Sequence, residues 1–175
     1  MENVYRGDYV ECMVAHALGH DWQLTWINGW NWAVWDIEHR TGVRVEVKQS
    51  SARQSWDRAA EAPDRQAIAR FDIAPRTGYW LKNGGDWIPF QSPSRPADVY
   101  VFAWHGERRR EFADQSDPAQ WRFFVVAESE LPCLQKTIGL QVLKRSYSSC
   151  RIGELPDAIA TAFPNQLEIG AKPPD

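Results

Sequence analysis

Between Ala33 and Gln49 apolar and charged residues alternate about a single glycine, and this stretch constrains the chain more than any other. Arg40-Thr41-Gly42 suits a three-residue hairpin loop, a type I turn closed by a left-handed Gly bulge. That loop pairs His39 with Val43 and sets Asp36 opposite Glu46. Alternation then predicts one face of Ala33, Trp35, Ile37, Val43, Val45 and Val47, and another of Val34, Asp36, Glu38, Arg44, Glu46 and Lys48. The first face reads as core and the second as charged. A two-residue Thr41-Gly42 loop would shift the pairing by one position and mix carboxylates with valines on both faces, so the apolar pattern favours the longer loop.

Directly opposed carboxylates repel, so Asp36 facing Glu46 needs a nearby cation. Lys48 and Arg44 lie diagonally from Asp36 and supply it; by themselves these charges describe a solvated hairpin face. A helix comes first. Val10, Met13, Val14, Ala17 and Leu18 recur at helical spacing, and Gly19 ends the run. Glu11 falls at the border of this stripe, where it could point along the core edge toward the hairpin. Asp8-x-x-Glu11 reads equally well as a capping box, with Asp8 as the cap.

A helix bearing Glu11, a hairpin bearing Asp36, then Glu46-Val47-Lys48 and Gln49 together resemble the PD-(D/E)XK nuclease superfamily over roughly residues 5 to 56. Trp35 stands where the family pattern has Pro. The resemblance implies a restriction endonuclease-like core that hydrolyses DNA phosphodiester bonds, with double- or single-stranded substrate left open. It implies that Asp36, Glu46 and the backbone carbonyl of Val47 bind Mg²⁺ or Mn²⁺, hard ions that prefer oxygen ligands. Lys48 would position the attacking water or stabilise charge on the phosphate, and Glu11 would bind a second ion or hold its water. Gln49 enters as a secondary site residue, although regular alternation turns it away from Lys48.

Composition bounds these expectations. A chain of 175 residues, 43% of them hydrophobic, suits one domain over residues 1–170 with a frayed tail at 171–175. No apolar run is long enough for a membrane span and the N-terminus lacks signal-peptide character, so a cytoplasmic protein is expected. Cys12, Cys133 and Cys150 have neither disulfide parity nor zinc spacing, which points to reduced thiols. The net charge of -3 argues against a basic nucleic-acid coat, leaving local patches: Arg53 with Arg58, and Arg108-Arg109-Arg110, the latter read as a solvated turn. Of ten tryptophans, Trp22, Trp26, Trp30, Trp32 and Trp35 crowd the approach to the hairpin. Most should pack, with Trp26 and Trp30 the exposed pair available for stacking on unpaired bases.

Downstream, residues 55–70 read as helical, with Pro63 interrupting, and Gln49-Ser50-Ser51 as a polar strand exit. Around residues 71–97, Asn83-Gly84 between aromatic flanks signals an inserted hairpin arm, suited to gripping a substrate or a second copy in a homodimer. Val99–Trp104 and Trp121–Ala127 are strong strand runs, with helices expected within 128–143 and 155–163, the latter opening at Pro156. The predicted fold class is α/β, a mixed central sheet flanked by helices. His16 and His20 are weak zinc candidates, and His39 and His105 read as surface residues near turns. A second reading keeps the fold and discards hydrolysis, making the chain a non-catalytic nucleic-acid-binding or protein-interaction module.

Overall fold

The computed structural model describes residues 3–28, 33–53, 69–80 and 85–164. The chain opens with α1 (Asn3–Leu18), which Gly19 ends in a left-handed conformation at φ +96°. Helix α1 starts five residues before Asp8, so Asp8 lies inside it and the expected capping box does not form. Strands β1 (Trp22–Leu24), β2 (Ile37–His39) and β3 (Arg44–Ser51) follow. Ile37 pairs with Val45 and Glu38 with Arg44, and Gly42 sits at φ +92° after a turn closed by its N–H on the His39 carbonyl at 2.8 Å. This is the register that the Gly bulge predicts.

Two features depart from the alternation argument. The ladder breaks at Asp36, whose N–H donates to the Val45 carbonyl at 2.9 Å, so residues 34–36 bend rather than extend β2. Trp35 therefore turns to the charged face, where its indole donates to Glu38 at 2.8 Å and the Arg44 guanidinium lies 4.1 Å over its ring. Strand β3 also continues through Gln49 and Ser50 to Ser51 as a parallel partner of β7 (Val99–His105), and is no polar exit there.

With β8 (Trp121–Ala127) and β10 (Ser149–Cys150) the main sheet has the order β1-β2-β3-β7-β8-β10, mixed because β3 and β7 run parallel while the other neighbours are antiparallel. Helices α1 and α3 (Leu155–Ala162), the latter with Pro156 in its first turn, bury Ile37, Val45, Val47, Val99 and Val101 on one face. The opposite face is covered too. Strand β4 (Arg70–Asp72) pairs with β9 (Thr137–Gly139), and these with α2 (Leu140–Ser146) pack Phe71, Ile138 and Leu143 over Tyr100, Phe102 and Phe124. Phe71 and Phe102 meet edge to face at 5.3 Å. Parallel strands covered on both faces read as continuous apolar runs, which is why Val99–Ala103 shows no alternation. The hairpin's second face is thus half core, and not the open charged surface that its sequence suggests.

The expected helix within 128–143 is instead a 3₁₀ turn at Glu128–Glu130, strand β9 and the start of α2. The inserted arm is a hairpin of β5 (Arg76–Trp80) and β6 (Trp87–Ser94), and starts later than residue 71 because Phe71 and Ile73 are core. Arg70 is strand rather than the end of a helix; the rest of the expected helix, together with Arg58, Trp30, Trp32, Asn83-Gly84 and the tail, lies outside the described residues. Both His39 and His105 are buried rather than at the surface, His39 against Trp22 at 4.7 Å and His105 against Trp121 at 5.2 Å. Among the described residues no helix is long and apolar enough to cross a membrane.

A Cβ added at Gly42 would meet nothing within 4 Å, so the cost of Gly42→Ala is that of the left-handed backbone alone. A loss of about 1 kcal/mol is expected from thermal or urea unfolding, with Gly42→Asn recovering part of it because Asn tolerates this conformation. Equal stability of the Ala variant and the wild type would contradict the bulged turn. Burial pushes the Cys150 thiol up to about 11 and raises Cys12, whereas Cys133 is exposed. Alkylation near neutral pH is expected to label Cys133 first by a wide margin.

Candidate functional site

The site begins at Asp36, just before β2 starts. The backbone of Asp36 is held on both sides: its N–H bonds Val45, and its carbonyl accepts from the Thr25 N–H at 2.9 Å and the Thr25 hydroxyl at 3.2 Å. With the ladder broken, the Asp36 carboxylate takes the next position along β3 and accepts the Val47 N–H at 2.7 Å. The carbonyls of Val43 and Val45 point toward β2, where they receive His39 and Asp36, so strand alternation turns the Val47 carbonyl to this same edge.

Glu46 lies on the neighbouring register position, opposite Tyr100 of β7, and is only 7% exposed. Its Oε1 is paired directly with the Lys48 ammonium. Its Oε2 is buried and, among the described residues, receives no hydrogen bond. An unpaired buried acceptor costs about 1–3 kcal/mol, more when charged, so this oxygen is poised for a cation or a donor.

Glu11 reaches the same locus from α1. It is partly buried, it feels the charges of Glu46 and Lys48, and the Trp26 side chain hydrogen-bonds to it. Trp26 is 37% exposed, so its indole both borders the site and meets solvent. Gln49 does not join the cluster. It faces α1, where Arg6 donates to its Oε1 at 2.6 Å, in keeping with regular alternation along β3.

The four converging groups shift one another. Burial first, then Glu46 and Glu11, hold the Asp36 carboxyl well above the ordinary aspartate range, with Lys48 and the Val47 N–H only partly compensating. Burial, then Asp8 and Glu46, raise Glu11. Burial alone would lower the Lys48 ammonium, but Glu46 and Asp36 outweigh it and the net shift is upward. Lys48 is therefore a fixed positive charge and not a base. Three carboxylates with one lysine leave a local excess of negative charge, the condition that favours a divalent ion. Among the described residues, no group of three or more His, Cys, Asp or Glu side chains is gathered as a ready-made metal site, and neither His16 nor His20 belongs to one. The donor set that suits Mg²⁺ is smaller: the Asp36 carboxylate, the unpartnered Glu46 Oε2 and the Val47 carbonyl, all hard oxygens.

Comparison with protein-family models, with curated proteins and with solved structures found no match. Three neighbours of the site escaped the sequence reading. Tyr100 sits opposite Glu46 with its phenol pushed far up by burial and by that carboxylate, and Arg76 acts on both Tyr100 and Lys48. Arg6 is almost fully buried beneath Gln49. A tyrosine inside the apolar run 99–103 was the one visible signal.

A carboxyl with a raised folded-state pKa binds its proton more tightly folded than unfolded, so stability is lost as pH rises above its ordinary value, 3.8 for Asp36 and 4.5 for Glu11. In metal-free buffer the melting temperature is expected to fall between about pH 4 and the raised pKa values. Asp36→Asn, which can still accept the Val47 N–H, is expected to flatten that fall. Parallel pH curves for wild type and variant would show that folding does not raise the Asp36 carboxyl.

Proposed function

We propose that this chain is a metal-dependent deoxyribonuclease of PD-(D/E)XK type, built on a restriction endonuclease-like core. The observation that carries this reading is the convergence of Asp36, Glu46, Glu11 and a permanently charged Lys48 beside the start of β2, with one Glu46 oxygen buried and, among the described residues, unpartnered. Asp36, Glu46 and the Val47 carbonyl would hold Mg²⁺ or Mn²⁺; the chemistry such an ion supplies is polarisation of a phosphoryl oxygen and a lowered pKa for bound water. The protein's own part is to hold these oxygens still. Thr25 and Val45 fix the Asp36 backbone, and Val47 fixes its carboxylate. Lys48, exchanging Glu46 for the substrate phosphate, stabilises negative charge that builds on the scissile group. Glu11, steadied by Trp26, accepts a proton from water at the rim of the site.

The direct Lys48–Glu46 pair favours a second reading, in which the lysine neutralises a buried carboxylate and the fold serves binding alone. Cleavage separates the two. Labelled DNA incubated with Mg²⁺ or Mn²⁺ is expected to be cut, with Asp36→Ala, Glu46→Ala and Lys48→Ala each lowering the rate by about 10²–10³-fold, the scale of losing one charge-stabilising group. Glu11→Gln is expected to cost about tenfold, within the range of general acid–base contributions or below it. Gln49→Ala, which loses only its bond to Arg6, is expected to stay close to wild type. Metal-dependent cleavage that survives the three alanine changes in folded protein would overturn the assignment.

A further inference from the structure

Away from the carboxylates, two adjoining clefts open on the face of the sheet that carries α2, where β7 ends and β8 begins. The larger, about 1200 Å³, runs between the start of β8 and the end of α2; the second, about 620 Å³, runs along α2 and β9. Trp104 and Lys144 line both, so the two form one continuous depression.

Its charge is segregated to an unusual degree. Arg109, Arg122 and Arg145 line the larger cleft, and Arg70, Arg108 and Lys136 the smaller. With Lys144 these are seven cations, against Glu107 as the single carboxylate among the described lining residues, in a chain whose 23 acidic residues outnumber its 20 Lys and Arg. Glu107 is occupied by Arg109, at 2.9 Å. Among the described residues, Arg70, Arg108, Lys136, Lys144 and Arg145 pair with no carboxylate. Aromatic rings interleave with these charges: Trp104 on the sheet, Tyr147 after α2, and Phe112, which is 55% exposed under the Arg109 guanidinium at 4.4 Å.

We infer that this depression binds an unpaired nucleic-acid strand. Unscreened cations along a groove attract a phosphate backbone and release its counterions, whereas aromatic faces hold bases that are free to unstack. A duplex, whose bases face inward, would use the cations and leave the rings idle. The site needs neither a metal nor hydrolysis. The carboxylate cluster lies on the same two strands: Glu46 and Tyr100 share a register position, and Trp104 follows four residues on, about 13 Å along the strand.

The test is equilibrium binding of a fluorescent oligo(dT) of about twelve nucleotides to the full chain in excess chelator, so that cleavage plays no part. Lys136→Ala/Lys144→Ala/Arg145→Ala changes three exposed side chains and is expected to weaken binding at least tenfold near 0.1 M salt. It is also expected to reduce the slope of log K against log salt by about 2, at about 0.7 per phosphate contact on single strands. Phe112→Ala is expected to weaken oligo(dT) binding severalfold and leave a matched duplex unaffected. Arg40→Ala, an exposed cation elsewhere, is expected to change nothing. Wild-type affinity in the triple variant, or a duplex bound more tightly than the single strand, would overturn the inference. Because cleavage by the carboxylate cluster is scored separately, with metal, the two readings fail independently.

Discussion

Strand β3 is covered on both faces, and the behaviour of the site follows from that burial. Val45 and Val47 lie under α1, while the alternate positions, Glu46 and Lys48, lie in the layer that β4, β9 and α2 close. A carboxylate removed from water must find a counter-charge, and Glu46 finds it two residues away in Lys48. The pairing is incomplete. Among the described residues one Glu46 oxygen keeps no partner, and Asp36 and Glu11 crowd the same region instead of relieving it. Breaking a buried ion pair commonly costs 3–5 kcal/mol, so the Lys48–Glu46 pair itself helps to hold this part of the sheet.

The break in the β2 ladder gives the excess its position. Had Asp36 continued the strand, its side chain would alternate away from the edge of β3; instead its backbone takes up the Val45 carbonyl and its carboxylate takes up the next free N–H, that of Val47. A backbone donor that would otherwise face an empty strand position is satisfied by the acid itself. The same irregularity carries Trp35 to the charged face and leaves the Val47 carbonyl at the open edge.

These features explain what was legible in the sequence. The hairpin register could be read because a positive-φ glycine and a period of two act within eleven residues, and both are local. The strands at Val99–His105 and Trp121–Ala127 could be read from their apolar runs, and α3 from Pro156 and its spacing. Burial of the second face could not, because its cover comes from residues 69–73 and 138–143, remote in the chain from the hairpin. Trp35 was misplaced because alternation assumes an unbroken ladder. The buried His39 and His105 were misread because a histidine beside a turn carries no sign of the Thr41 or Gln120 group that bonds one of its ring nitrogens. The net charge of -3 likewise conceals a local separation of sign, with carboxylates beside β3 and cations around α2.

The most direct measurement is anomalous diffraction at the manganese edge from crystals grown with Mn²⁺. A peak about 2.1–2.2 Å from oxygens of both Asp36 and Glu46, with Lys48 turned away from Glu46, is the result expected of a hard divalent ion held by these ligands. Crystals that show no peak there, with the Lys48–Glu46 pair intact, would contradict a metal site at the start of β2 and leave the carboxylate cluster a structural feature of the sheet.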